Sequence, residues 1–188
     1  GTNINIAVAP AGSTSANDAF ATFPLVFEED KTYVVTAAGL LNNSVTPFTL
    51  YVNENGQEAA LDSNEVDVAV FHGATNAPAM DVDAVFVADN VVQNLAYGQY
   101  TAYLDVAPEK YDFAIRGAGT PGVLYSYRAD LTGLTGKAAT VFASGFIGGV
   151  PAFGLFAALA DGSVTELPVT PTARVQFIHN SPDPTVDV

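Results

Sequence analysis

The sequence predicts an all-β protein: tandem antiparallel β-sandwich units of the immunoglobulin-like or Greek-key type, with little or no helix. Three observations carry that expectation. Hydrophobic residues make up 49% of the 188, and Val, Ala, Phe and Tyr dominate over the Leu, Glu, Lys and Arg that fill helices. Apolar and polar residues alternate at period two between clusters of Gly, Pro, Asn and Asp. The chain also repeats itself at a nearly constant spacing.

The alternation places strands at residues 4–9, 33–37, 66–70, 111–115 and 123–127, the strand density of a sandwich. No window of a dozen residues holds a 3.6-residue apolar stripe without Gly or Pro breaking it, so helix is limited to a turn near residues 15–20. GFIGGV at 145–150 lies between strands and reads as a hairpin turn rather than a phosphate cradle, because no helix follows it.

The repeat rests on four ordered matches. INIAVAPAG at 4–12 lies over YDFAIRGAG at 111–119, an offset of 107. KTYVVTAAGLL at 31–41 lies over KAATVFASGFI at 137–147, an offset of 106. FTLYV from Phe48 matches FGLFA from Phe153, each followed by Asn-Gly or Asp-Gly. FHGATNAPAMDV at 71–82 matches FIHNSPDPTVDV at 177–188, with His72 falling on His179 at an offset of 107. Residues 1–63 then form the later part of a first repeat, 64–170 a complete second repeat, and 171–188 the opening of a third.

HGATNAPAMDV and HNSPDPTVDV resemble the motif His-Ala-Ser-Pro-Asp-Ala-Pro-Ala-Val-Asp-Val of a bacterial family, domain of unknown function 4397. VAPEKYDFAIRGAG is similar to the family's second signature, a strand and Pro-Ala-Gly-type turn followed by an apolar strand. This copy departs at 73–76, where GATN replaces the Ser-Pro-Asp core, and HNSPDPTVDV is one residue shorter. The resemblance implies a fold and a location: tandem copies in exported and cell-surface proteins, some labelled adhesion proteins. It implies no catalytic residues.

Twenty acidic residues against six basic give a net charge of -14, which repels phosphate backbones and anionic headgroups and makes nucleic acid and membrane poor partners. With no cysteine, disulfides, thiolate metal sites and cysteine nucleophiles are excluded, and stability must come from the core. The chain starts at Gly1 without an initiator Met, a signal peptide or an apolar run of membrane-spanning length, and reads as an excerpt or processed product.

His72 and His179 each follow a strand and enter a Pro-containing loop. The simplest role for each is a loop anchor donating to a carbonyl or carboxylate, with ligand binding or pH sensing as the other reading. The carboxylate clusters are Glu28, Glu29 and Asp30; Asp62, Glu65 and Asp67; and Asp81, Asp83 and Asp89. They lack a calcium-loop spacing, and Asp81 and Asp83 share one strand face, read as a wet outer face. No metal and no cofactor is therefore expected, and EDTA should leave the melting temperature unchanged, checked by a thermal scan with and without chelator.

Tyr97, Tyr100, Tyr103, Tyr125 and Tyr127 are the densest aromatic set. Tyr125 and Tyr127 share a face and are the carbohydrate-stacking candidates, with cross-strand pairing inside the sandwich as the alternative. No nucleophile elbow, metal set or acid-base pair stands out, so an enzyme is not expected.

The ends carry a further expectation. In repeat register Val188 corresponds to Val82 and Gly1 to Pro108, so the two ends together lack the counterpart of residues 83–107. Residues 1–63 hold no opening strand of their own, whereas Arg174, Val175, Gln176, Phe177, Ile178 and His179 form one with no domain of its own. Such a strand completes an incomplete sandwich. If units lie side by side it folds back; if they are strung end to end it enters the next molecule and builds an open filament. The expected role is a structural or adhesive repeat module of an extracellular bacterial surface protein, joined head-to-tail to copies of itself by strand donation. A window cut from a longer tandem array, and a carbohydrate- or calcium-dependent module contacting cell-surface glycan, are the alternatives.

Overall fold

The computed structural model describes residues 1–171, so the candidate donor strand at 174–179 lies outside the described residues. Among the described residues are thirteen strands and one 3-10 turn, Ala16–Asp18, capped by the Ser15 hydroxyl, which accepts from the Asn17 amide at 3.1 Å. The strands are β1 (Thr2–Val8), β2 (Ala21–Phe27), β3 (Val34–Ala38), β4 (Thr49–Asn53), β5 (Val66–His72), β6 (Met80–Ala84) and β7 (Ala88–Leu95). They continue with β8 (Leu104–Val106), β9 (Lys110–Gly117), β10 (Val123–Asp130), β11 (Ala138–Ser144), β12 (Gly154–Leu159) and β13 (Val164–Glu166). No helix of the described residues is long and apolar enough to cross a membrane.

From β5 onward two sheets face each other in a sandwich-like arrangement. One runs β10-β9-β6-β7, the other β13-β12-β11-β5-β8. Period-two alternation sends Met80, Ile115 and Tyr127 from the first sheet into one cluster with Ala143 and Leu155 from the second. A second cluster gathers Val66, Ala84, Tyr111, Ala129 and Leu131. After Leu167 donates to Leu155 O the chain leaves the second sheet and crosses to the first. There Val169 bridges Tyr127, and the Thr170 amide donates to Ser126 O at 2.9 Å.

Among the named strands of the described residues one pair departs from the expected antiparallel pairing: β5 and β11 run parallel, Ala138 opposite Asp67 through Ala143 opposite His72. Parallel neighbours need a long connection, and the residues between these two strands supply it.

Residues 1–63 form two hairpins, β1–β2 and β3–β4, each its own two-stranded sheet. The β3–β4 hairpin reproduces the geometry of β11–β12. Ala38 pairs with Thr49 as Ser144 pairs with Gly154. The Leu40 amide donates to Thr46 O as the Phe146 amide donates to Pro151 O. Gly39 and Gly145, one repeat offset apart, hold φ of +103° and +79°, and a Cβ on either would collide with the carbonyl of Pro47 or Ala152. Only glycine suits such a turn.

One face of β3–β4 lies on the outer face of the five-stranded sheet. The Tyr100 ring packs tilted against Phe71 with centroids 4.5 Å apart, its hydroxyl donates to Thr36 Oγ1, and Tyr51 packs 5.4 Å from Phe71. These rings bury Phe71 completely. The other face carries Tyr33, Val35, Ala37, Phe48, Leu50 and Val52 toward β1–β2, where Phe23 meets Phe48 at 6.0 Å and Phe27 meets Tyr33 at 4.8 Å.

Candidate functional site

The loop opened by His72 is tied down at every turn. His72 is 1% exposed, and its Nε2–H donates to Pro78 O at 2.9 Å, the anchor role expected of it. Its Nδ1 is buried without a hydrogen-bond partner among the described residues. Burial outweighs the Pro78 carbonyl and lowers the imidazole pKa, so the ring stays neutral. Asn76 clamps the loop to the Gly145 turn through both amide atoms: Nδ2 donates to Ile147 O at 3.0 Å and Oδ1 accepts from the Ile147 amide at 2.9 Å. His179 lies outside the described residues.

Asp81 and Asp83 point outward from β6, but the expected wet face is covered. Two irregularities in the β6–β7 register put extra residues into β7. Asn90 and Asn94 there take φ of 53° and 47°. Each then aims its amide at a carboxylate, Asn94 at Asp81 Oδ1 and Asn90 at Asp83 Oδ1, both at 2.7 Å.

Asp81 also receives the Gly119 amide at 2.9 Å, and these backbone donors lower its pKa. Asp83 is held low by Arg116, whose Nε and Nη2 reach its two oxygens at 2.7 Å. These donors occupy the oxygens that a cation would need. Asp67 is fully buried; its Oδ2 accepts from the Leu61 amide at 3.0 Å and its Oδ1 has no partner among the described residues. Among the described residues no group of three or more His, Cys, Asp or Glu side chains could hold a metal.

The stacking candidates belong to the core. Tyr127 is 3% exposed, its hydroxyl donates to Phe153 O at 3.1 Å, and Tyr125 stacks 4.6 Å from Phe153. Tyr127 therefore presents no free ring to a sugar, and Tyr125, partly buried, has one ring face taken by Phe153. Tyr97, Tyr100 and Tyr103 instead join the β3–β4 hairpin to the five-stranded sheet: Tyr97 meets Tyr51 at 5.8 Å, and the Tyr103 hydroxyl accepts from the Gln57 amide at 3.1 Å.

The distinctive feature lies in the first two hairpins. Among residues 1–65 only Asn53 is buried, although Ile4, Ile6, Val8, Phe23 and Leu25 share the inward face of β1–β2. Ile4 is 45% exposed and Val35 36%. In the later unit β9 is flanked by β10 and β6, and β11 by β12 and β5. Here β1 has only β2 and β3 only β4 among the described residues.

Beside the unpaired edge of β3 runs an apolar groove. One section, of about 360 Å³, is bounded by Val34 and Val35 on one side and by Ala138, Phe142 and Ala158 on the other. Thr36, Ala37 and Phe142 also line the next section, of about 230 Å³, which reaches Leu40 and Phe146.

The profile of the domain of unknown function DUF4397 matches residues 67–188. The chain belongs to that family. No curated protein and no solved structure matches it. The DUF4397 match begins within β5 and takes in the rest of the sandwich-like unit, the pinned loop after His72 included.

Sequence reasoning missed Asn76, Asn90, Asn94 and Arg116, which complete that loop and its carboxylates. The adjacent Asn-rich run in β7 was the available signal, since asparagine tolerates positive φ.

The neutral, buried His72 of this DUF4397 unit has a pH consequence. Its folded pKa is depressed, so its contribution is fully present above the unfolded value of about 6.5 and is lost as pH falls through the folded value. Melting temperature should fall on acidification from pH 7 to 5, and His72→Gln, which keeps a donor near Pro78, should flatten that slope in paired thermal scans.

Proposed function

We propose that this chain is a structural or adhesive repeat module of an extracellular bacterial surface protein, with tandem immunoglobulin-like units completed head-to-tail by strand donation and no catalytic role. The observation that carries the reading is the missing core of residues 1–65: inward apolar faces are present, yet no apolar side chain there is buried. Burial yields roughly 25 cal/mol per Å² of apolar surface, so strands that cover these faces stabilise the half-unit substantially. The hairpins repeat the later unit's turn geometry at an offset of 105–106 residues, which supports tandem units. Among the described residues no counterparts of β5 and β6 pair with these hairpins, and the sequence of residues 173–188 resembles that of the pair. The acidic surface, at net charge -14, keeps a crowded array soluble.

The test compares the purified chain with one lacking residues 173–188, by light scattering and electron microscopy. Multimers that disappear on deletion are expected. Multimers unchanged by it, or a full-length chain that stays monomeric at high concentration, would overturn the reading.

A second reading has one observation in its favour. An open cleft of about 570 Å³ is lined by Asn53, Asn55, Gln57, Tyr103 and Asp105, amide and carboxylate groups around a tyrosine that suit sugar hydroxyls. A glycan array, run with and without chelator, tests it.

A further inference from the structure

We infer that the cleft between the chain leaving β4 and the chain entering β8 binds an amino sugar as its free amine, with Asp105 taking the ammonium and the surrounding amides and hydroxyls taking the ring hydroxyls. This rests on the glycan reading of that cleft and names the class of sugar.

The charge follows from the ladder. In the β5–β8 pair Asp105 stands opposite Asp67, so the two side chains share one face of the five-stranded sheet. Asp67 lies four residues before Phe71 on β5, which makes that face the outer one. Carboxylates directly opposite each other destabilise a sheet, and a cation placed over them relieves the cost. Asp67 is fully buried beneath the Leu61 amide, which donates to its Oδ2 at 3.0 Å, so it takes no ligand itself but adds its field to the site. Asp105 is exposed at the cleft, whose volume of about 570 Å³ falls within the range of about 300–1,000 Å³ usual for small-ligand sites. None of the described residues lining it is basic. Lys31, Lys110, Arg116 and Arg128 each pair with a carboxylate elsewhere, and the chain as a whole carries a charge of -14. A cation is attracted here and an anion repelled.

The neutral groups around Asp105 make that cation a sugar. Tyr103 Oη accepts from the Gln57 amide at 3.1 Å and Thr101 Oγ1 accepts from the Val70 amide at 2.9 Å, so each hydroxyl has its proton left to donate. Asn53 Oδ1 accepts from the Asn55 amide at 3.0 Å, which fixes the side chain and leaves its amino group as a donor. Gln57 Oε1 in the cleft wall is buried and has no partner among the described residues. Donors and acceptors set in this way beside one carboxylate match a ring that bears neighbouring hydroxyls and one ammonium. A lysine side chain supplies the ammonium alone and leaves the other groups unpaired, which costs free energy at every one that it buries. An N-acetylated sugar replaces the ammonium with a neutral amide and forfeits the charge-assisted bond to Asp105.

Calorimetric titration of the full chain with the β-1,4-linked glucosamine trimer, its fully N-acetylated counterpart and cellotriose tests this. The glucosamine trimer should bind about tenfold or more tighter than the other two, the margin of one charge-assisted hydrogen bond, and added salt should shrink that margin. Asp105→Asn, at an exposed position, should abolish the margin and leave the melting temperature unchanged. Asp161→Asn, which removes an exposed carboxylate between β12 and β13, should bind like the parent chain. Equal binding of all three sugars, untouched by Asp105→Asn, would leave the cleft a glycan site and overturn the amino-sugar assignment. If none of the three binds, both readings fall. Hexalysine binding as tightly as the glucosamine trimer, or Asp161→Asn losing as much as Asp105→Asn, would also overturn the assignment, since either makes the contact one of charge alone.

Discussion

Ile115→Ala is expected to destabilise the chain by about 3–4 kcal/mol, whereas Val8→Ala at the corresponding repeat position should cost less than about 1 kcal/mol when the chain is monomeric. The contrast is one of surroundings. Ile115 is 2% exposed and packs among Met80, Tyr127 and Leu155, so truncation leaves a cavity that the rigid sheets cannot close. Val8 faces an incompletely covered surface where water replaces the lost methyl groups. Urea unfolding of both variants, below the concentration at which multimers form and again above it, checks this. The Val8→Ala cost should grow toward that of Ile115→Ala once the half-unit is covered by donated strands, and equal costs in the monomer would contradict an open half-unit.

Gly145→Ala is the second large effect, a loss of about 2–4 kcal/mol. Gly145 sits at φ +79°, a conformation that costs an L-residue roughly 1–2 kcal/mol, and the added Cβ would overlap the Ala152 carbonyl. That carbonyl belongs to the turn joining β11 to β12, and relieving the overlap disturbs the Phe146 amide bond to Pro151 O and the Asn76 clamp on Ile147. Gly39→Ala makes the same collision with Pro47, but in a hairpin whose inward face is partly exposed. Its main unfolding transition should move little by comparison. Urea melts followed by near-ultraviolet circular dichroism distinguish the two, because the tyrosines of the larger core report the first and not the second.

Five of the strands (β1, β3, β5, β9 and β10), the near absence of helix and the turn at 145–150 were legible in the chain, because each depends on local alternation or on a residue type that a turn requires. Period-two patterning states which residues share a face. It does not state what covers that face, and this is why Asp81 and Asp83 read as a wet surface when the bulged β7 and Arg116 in fact cover them. The same limit made Tyr125 and Tyr127 stacking candidates when Phe153 occupies their faces. His72 was legible as an anchor because a histidine leaving a strand into a proline loop has a nearby carbonyl to bond. Asn76 was not, since its partner Ile147 is distant in sequence.

The sequence by itself determined that this is an all-β, cysteine-free chain with almost no helix. Only the tertiary structure decided that β5 and β11 run parallel, that the β3–β4 hairpin lies on the outer face of the larger sheet, and that an apolar groove runs beside β3, which among the described residues pairs with β4 alone. The reason is physical: alternation and turn chemistry are set by neighbours along the chain. Strand direction, layer order and the partner across a face are set by burial among residues far apart in sequence, which no local pattern encodes.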